Sequence, residues 1–138
     1  MAEETPSELS DVLSVRTYKR GLRYEEMGEP DKAIADYSEA IRLKDVRAYS
    51  NRAAAYQKKR EYDKAIADYT EVIALNTKGD PDPGQVLLRA GVAAKAYYGR
   101  GVCYDAKGEP ERAIADYKEA DQRDSKLLND DLRKRISK

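Results

Sequence analysis

AIADY, the sequence from Ala33 to Tyr37, recurs without change at Ala65–Tyr69 and at Ala113–Tyr117. Self-similarity at a spacing of about 20 to 50 residues is typical of stacked repeat arrays. Each copy follows a turn-forming or charged segment and leads into another stretch of helical character. The recurrence therefore predicts a chain of short helical hairpins, each made of a first helix, A, and a second helix, B, that contains AIADY.

Glycine and proline mark where helix A ends and helix B begins. Gly28 and Gly108 lie where a first helix should stop, and glycine readily adopts the positive φ angle that terminates a helix. Pro30 and Pro110 follow shortly after, and proline suits the first turn of a helix because the N–H that it lacks has no helical partner there. These residues predict the turn between the two helices of the first and third hairpins.

Small and aromatic residues recur in the same order in all three hairpins. They are a small residue of helix A at Gly21, Ala53 and Gly101, a tyrosine three positions later at Tyr24, Tyr56 and Tyr104, the first alanine of AIADY, and its final tyrosine. Small residues let two helix axes approach to roughly 8 to 10 Å. In this order and at this spacing, the pattern resembles the tetratricopeptide repeat.

The resemblance implies an all-α fold, a right-handed α-α superhelix of three hairpins with a C-terminal capping helix. It covers most of the chain, which we interpret as one domain over residues 1–138. Repeat 1 is assigned to about residues 14–45, repeat 2 to 46–79 with a following insertion to about 93, repeat 3 to 94–124, and the capping helix to 125–137.

Local signals predict the ends of the first and last helices. Thr5 to Glu8 resembles a capping box with proline at the first helical position, so helix 1A is predicted from Pro6 to about Met27. Ser125 is predicted to cap a last helix that runs to about Ile136 and buries Leu128, Leu132 and Ile136, which lie at four-residue spacing. This helix is expected to cover the exposed side of repeat 3, as terminal elements of repeat arrays do.

An insertion separates the second and third repeats. Ala65 and Ala113 are 48 residues apart, against a period of about 34 in the family. The segment NTKGDPDPG, residues 76–84, is predicted to be a loop, and the following residues are predicted to extend helix 3A, from about Gln85 to Lys107. Two alternatives stay open for Val86, Leu87 and Leu88: packing on their own chain, or an exposed apolar patch for a partner or a second copy. If a second copy covers this patch, the protein is a homodimer through residues 76–96.

Charge and hydropathy limit the classes of partner. Although 38% of the residues are charged, 26 basic and 26 acidic side chains cancel, so no long-range field favours nucleic acid or an anionic membrane. No apolar run approaches the roughly 20 residues that span a bilayer, and the first residues lack the features of a secretory signal. We therefore expect a cytoplasmic protein that binds neither nucleic acid nor membrane.

Catalysis is not expected. The sequence has no histidine, which is the commonest general base and metal ligand, and no phosphate-binding glycine loop or metal-binding cysteine pair. Its one cysteine, Cys103, lies between helical residues and is interpreted as a packed small apolar side chain. The acidic segment at residues 80–83 lacks the ligand spacing of a calcium loop. We predict no enzyme activity, no cofactor and no metal site.

The remaining candidate site is a surface formed by the A helices. Extended concave faces are what repeat arrays use for binding. The resemblance places Tyr18, Lys19 and Leu22 of repeat 1 in this groove, with Asn51, Ala54 and Lys58 of repeat 2 and Lys95, Tyr98 and Val102 of repeat 3. It implies a non-catalytic protein-interaction module that binds a peptide or protein segment there. The alternative is a self-associating scaffold that uses the extended helix 3A or an exchanged hairpin.

The segment from Tyr49 to Ala65 also resembles the second repeat of co-chaperones that hold the acidic C-terminal tails of heat-shock chaperones. Those proteins use a clamp of five side chains. Asn51 and Lys95 match the clamp, whereas Tyr18, Leu22 and Gly99 stand where it needs lysine, asparagine and arginine. The resemblance therefore implies an incomplete carboxylate clamp.

Overall fold

A computed structural model of the protein describes residues 5–77 and 83–138, without the side chains of Ser7, Thr77 and residues 83–90. Within these ranges the secondary structure consists of helices and includes no strand. The helices are α1 (Pro6–Glu26), α2 (Pro30–Arg42), α3 (Arg47–Lys58), α4 (Tyr62–Thr77), α5 (Pro83–Ala106), α6 (Pro110–Arg123) and α7 (Asp130–Ile136). The all-α prediction is confirmed.

The helices form two compact units. Unit 1 spans Met1–Arg60 and contains α1, α2 and α3, whereas unit 2 spans Glu61–Lys138 and contains α4 to α7. In each unit, helices that follow one another along the chain pack together. None of the helices in the described ranges combines the length and the apolar character required to cross a membrane.

The first helix begins and ends close to the predicted residues. The Thr5 hydroxyl accepts a hydrogen bond from the Glu8 N–H, and the Glu8 carboxylate accepts one from the Thr5 N–H at 2.8 Å, which completes the capping box.

Glycines end the A helices of the first and third hairpins. Gly28 has a φ of 73° and Gly108 a φ of 78°, the left-handed conformation predicted for both turns. The terminating glycines and the prolines after them therefore define the hairpin turns.

The last helix begins later than predicted. Its N-cap is Asn129, whose side-chain oxygen accepts a hydrogen bond from the Leu132 N–H at 2.9 Å. The prediction that Ser125 caps this helix is wrong, because Asp124 has extended backbone and its carboxylate accepts the Lys126 N–H, which forms a turn there.

The insertion is partly described. The long α5 confirms one continuous helix through repeat 3, starting at Pro83 instead of Gln85. Both ends of the predicted loop over residues 76–84 are helical, because α4 continues through Thr77 and proline occupies the first position of α5. Residues 78–82 lie outside the described residues. The side chains of Val86, Leu87 and Leu88 lie outside the described residues, so the homodimer through residues 76–96 stays a prediction.

The cores of the two units repeat one motif, a tyrosine ring packed against a glycine. A Cβ atom at Gly21 would lie 2.6 Å from Cε1 of Tyr37, and one at Gly101 would lie 2.8 Å from Cε1 of Tyr117. Both tyrosines are fully buried, together with the alanines of the same helices. Of the small residues predicted at the helix crossings, Gly21 and Gly101 are therefore in contact with the final tyrosine of AIADY.

Candidate peptide-binding surfaces

In unit 1, α1 and α3 hold Tyr18 in a fixed position. The Asn51 side-chain amide donates a hydrogen bond to the Tyr18 hydroxyl at 2.9 Å. The Tyr18 ring tilts against the buried Tyr37 ring, with 5.9 Å between centroids, and the Arg47 guanidinium lies 4.5 Å from its centroid. Three neighbours therefore fix this aromatic ring, which is the kind of rigid contact that binding surfaces use.

Arg47 is itself held by the loop before α3. Its guanidinium donates to both carboxylate oxygens of Asp45, at 2.9 and 2.7 Å, and the Asp45 side chain is only 6% exposed. Such a bidentate pair fixes both the charge and the plane of the guanidinium. This support for Tyr18 was not predicted, although an aspartate two residues before an arginine at a helix start is visible in the sequence.

The other predicted residues of unit 1 differ in environment. Leu22 is half-buried and packs on the Tyr37 cluster, and Ala54 is also half-buried. Lys19 and Lys58 are exposed. Lys19 lines a shallow depression of about 430 Å³ with Asp11, Val12, Val15 and Arg16 of the same helix. The structure therefore brings Tyr18 and Asn51 into contact and places Lys19 on an adjoining part of α1.

In unit 2, α5 presents the predicted residues of repeat 3. Tyr98 tilts against Tyr117, with 5.9 Å between centroids, in the same way as Tyr18 against Tyr37. Val102 is half-buried and packs on the Tyr117 cluster, whereas Lys95 is exposed. Each unit therefore carries one half-buried tyrosine of an A helix that is supported by the buried tyrosine of AIADY.

Gly99 has no room for the arginine of a carboxylate clamp. A Cβ atom at this position would lie 2.5 Å from Cζ of Tyr69, on the neighbouring α4. The next residue, Arg100, donates to both oxygens of Asp116 at 2.8 Å each and to the Thr70 hydroxyl at 3.0 Å. Tyr69 therefore occupies the space that a side chain at position 99 would need, and Asp116 and Thr70 hold the guanidinium of Arg100.

Arg–Asp pairs join the two helices of a hairpin and were not predicted from the sequence. Arg20 binds both oxygens of Asp36 at 2.8 Å in unit 1, in the way that Arg100 binds Asp116 in unit 2. In both pairs the arginine precedes the aspartate of AIADY by 16 residues, a spacing that the sequence displays. These arginines orient the hairpins and are not free to bind an anion.

The described residues contain no group of three or more His, Cys, Asp or Glu side chains that is arranged to hold a metal ion. Cys103 is buried, and this burial raises the pKa of its thiol to about 11. A thiol with such a pKa is almost entirely protonated at neutral pH and is a poor nucleophile. The side chains that these surfaces present for contact are aromatic, amide and charged groups.

Comparison with solved structures finds tetratricopeptide domains. The N-terminal domain of the stress-induced protein STI-1 from C. elegans matches with 16% identity over 97% of each chain and a TM-score of 0.74. The TPR2AB domain of yeast Sti1, in complex with pHSP90, matches with 22% identity over 92% of this chain and 46% of that chain, with a TM-score of 0.69. The second TPR domain of human RPAP3, in complex with the HSP70 peptide SGPTIEEVD, matches with 22% identity over 93% of this chain and 95% of that chain, with a TM-score of 0.68.

No curated protein matches the sequence. Tetratricopeptide repeat models match residues 18–45, 46–77 and 94–120. These matches coincide with the three predicted repeats and together include more than half of the residues. The chain belongs to the tetratricopeptide repeat family.

Proposed function

We propose that the protein is a non-catalytic interaction module that binds a peptide or protein segment on the A helices, α1, α3 and α5. The observation that carries this proposal is the Tyr18–Asn51 pair, in which two A helices hold an aromatic ring and an amide together at 2.9 Å. Such an arrangement needs little further ordering when a ligand binds, and a preorganised surface loses less entropy on binding.

Asn51 retains hydrogen-bonding capacity for a ligand. An asparagine side chain has two N–H donors and an oxygen acceptor, and the contact with Tyr18 uses one donor. The remaining donor and the oxygen are complementary to the C=O and N–H of an extended peptide backbone. This chemistry recognises a peptide without requiring a particular side chain at that position.

Charged residues add selectivity to the same helices. Lys19, Lys58 and Lys95 are exposed, and none of them forms an ion pair with another described residue. A carboxylate of the ligand would gain a charge-assisted hydrogen bond from any of these ammonium groups. The proposed ligand is therefore an extended segment with at least one acidic residue.

The acidic tails that some structural neighbours bind are not the proposed ligand. The RPAP3 domain is in complex with the peptide SGPTIEEVD, which ends in two glutamates, a valine and an aspartate. Here, only Asn51 and Lys95 match the five side chains of the carboxylate clamp, and Tyr69 fills the space that a side chain at position 99 would need. We expect SGPTIEEVD to bind this protein at least about 100-fold more weakly than it binds the RPAP3 domain, because three charged or amide contacts of the clamp are absent here.

The test uses a partner captured from cell extract with the full chain as bait. The double variant Asn51→Ala, Lys95→Glu should weaken binding of that partner at least about tenfold, since it removes an amide and reverses a charge on the A helices. Lys118→Glu, at an exposed position of helix B, is the matched control for the charge reversal and should bind like the wild type. Unchanged affinity in the double variant, with its helical circular dichroism intact, would reject the A helices as the binding surface.

A further inference from the structure

A carboxylate and a tyrosine hydroxyl hold a guanidinium in unit 2. The Tyr117 hydroxyl donates to Oδ2 of Asp105 at 2.8 Å. Arg135, from α7, donates to Oδ2 and Oδ1 of the same carboxylate at 2.8 and 3.0 Å. The carboxylate lies on helix A and the phenol on helix B of one hairpin, and the cation comes from the next helix along the chain. This set is a complete binding site for a planar cation.

Unit 1 contains an equivalent carboxylate and phenol, 80 residues earlier in the sequence, as Glu25 on α1 and Tyr37 on α2, with glutamate in place of the shorter aspartate. Tyr37 is 0% exposed. Its hydroxyl and Oε1 of Glu25 are both buried and have no hydrogen-bond partner of good geometry. Burial raises the pKa of Tyr37, and the neighbouring Glu25 carboxylate raises it further, as expected if the two groups face each other.

Unit 1 lacks the arginine. The residue 80 positions before Arg135 is Ala55 of α3, which is 1% exposed and has no polar side chain. Among the described residues, no lysine or arginine forms an ion pair with Glu25. The acceptor half of the site is therefore present on unit 1, whereas its cation is not supplied by the unit.

We propose that Glu25 and Tyr37 form a subsite for the guanidinium group of an arginine in the bound peptide, in the manner in which Asp105 and Tyr117 bind Arg135. Glu25 as a whole is half-buried whereas its Oε1 is buried, so we expect a guanidinium to approach along the part of the side chain that solvent reaches. An arriving guanidinium satisfies a buried carboxylate oxygen, and groups of this kind are costly to leave unpaired. The inference rests on the proposed function, and it adds that the ligand carries arginine.

The test is an NMR titration of the full chain with two pentapeptides. One is acetyl-Gly-Gly-Arg-Gly-Gly-amide, and the other replaces arginine with citrulline, a neutral side chain of nearly the same shape. We expect the dissociation constant of the arginine peptide to be at least about tenfold lower than that of the citrulline peptide, because only the guanidinium forms charge-assisted hydrogen bonds. The amide signals of residues around Glu25 and Asn51 should report the binding.

Two variants of unit 1 test whether Glu25 causes the preference for the arginine peptide over the citrulline peptide. Glu25→Gln keeps the shape of the side chain and removes its charge, so the preference for arginine over citrulline should disappear. Glu26→Gln removes an adjacent exposed carboxylate and should keep the preference. Equal affinity of the wild type for the two peptides, or a preference that survives in Glu25→Gln, would overturn the proposal.

A variant of unit 2 tests the equivalence of the two sites. Arg135→Gln removes the internal cation from Asp105 and Tyr117, so a second site for the arginine peptide should appear, with signal changes near Tyr117. Absence of a second site in a folded Arg135→Gln protein would contradict the equivalence. The captured partner separates this inference from the proposed function. If Asn51→Ala, Lys95→Glu weakens its binding but Glu25→Gln does not, only this inference is overturned. If Asn51→Ala, Lys95→Glu leaves its binding unchanged, the proposed function is overturned.

Discussion

Arg100 binds both carboxylate oxygens of Asp116 at 2.8 Å, and both side chains are largely buried, with 18% and 7% of their surface exposed. The equivalent pair of unit 1 has the same distances, but the Arg20 side chain is 59% exposed. Because water screens an exposed ion pair and leaves a buried one unscreened, two pairs of identical geometry should differ in the cost of breaking them.

The first prediction concerns these pairs. Asp116→Asn leaves the Arg100 guanidinium buried without its carboxylate and should lower the free energy of unfolding by about 2 to 3 kcal/mol. Asp36→Asn should lower it by a smaller amount, because solvent reaches Arg20. Urea denaturation followed by circular dichroism measures both variants. Equal losses would show that exposure of the arginine does not control the strength of the pair.

The second prediction concerns the glycines of α5. Gly101→Ala places a methyl group 2.8 Å from the buried Tyr117 ring and should destabilise the protein by about 1 to 3 kcal/mol through overpacking. Gly91→Ala is the matched control in the same helix, because a Cβ atom there meets nothing within 4 Å. Its higher helix propensity should stabilise the protein by about 0.5 to 1 kcal/mol. Changes of the same sign in both variants would contradict the close packing of Gly101.

The hairpins were predictable because their signals are local. The positive φ of Gly28, the capping box of Thr5 and the contact of Gly21 with Tyr37 all follow from residue types at fixed spacing within one hairpin. The start of α7 was predicted wrongly because Ser125 and Asn129 are both good N-caps, and the choice depends on the Asp124 turn.

The contacts of the candidate site were less predictable, because they join residues far apart in the sequence. Asn51 and Tyr18 are separated by 33 residues, and whether their side chains meet depends on rotamers that no pattern specifies. The sequence placed both residues on the binding surface through a family resemblance. It did not indicate that the Asn51 amide donates a hydrogen bond to Tyr18, or that Tyr69 fills the space beside Gly99.

The third prediction concerns Cys103, the one cysteine of the chain. Because burial raises the pKa of its thiol to about 11, about one molecule in a thousand carries the thiolate at pH 8. The folded protein should react with a disulfide reagent at least about 100-fold more slowly than the protein in 6 M guanidinium chloride, where the pKa returns to about 8.5. The reaction of the folded state should accelerate as the pH rises towards 11. Rapid labelling of the native protein at pH 8 would contradict the burial.

The fourth prediction concerns the attachment of α7 through Asp105. The hydrogen bonds from Arg135 lower the pKa of the Asp105 carboxyl, and the Tyr117 hydroxyl lowers it further. A carboxyl with a lower pKa in the folded state stabilises that state above its unfolded pKa of about 3.9, and the stabilisation is lost as the pH falls through the folded value. Asp105→Asn should therefore lower the free energy of unfolding by about 1 kcal/mol at pH 7, and this difference from the wild type should shrink as the pH falls from about 5 towards 2.

Urea denaturation of both proteins at several pH values between 7 and 2 measures this effect. Arg135→Gln should show the same convergence with the wild type at low pH, because it removes the other half of the pair. Asp131→Asn, at an exposed position of α7, is the control and should differ from the wild type by only a small amount at pH 7. If the Asp105→Asn difference is as large at pH 2 as at pH 7, the charge of Asp105 does not hold α7 in place, and the loss of shape or packing must account for the destabilisation.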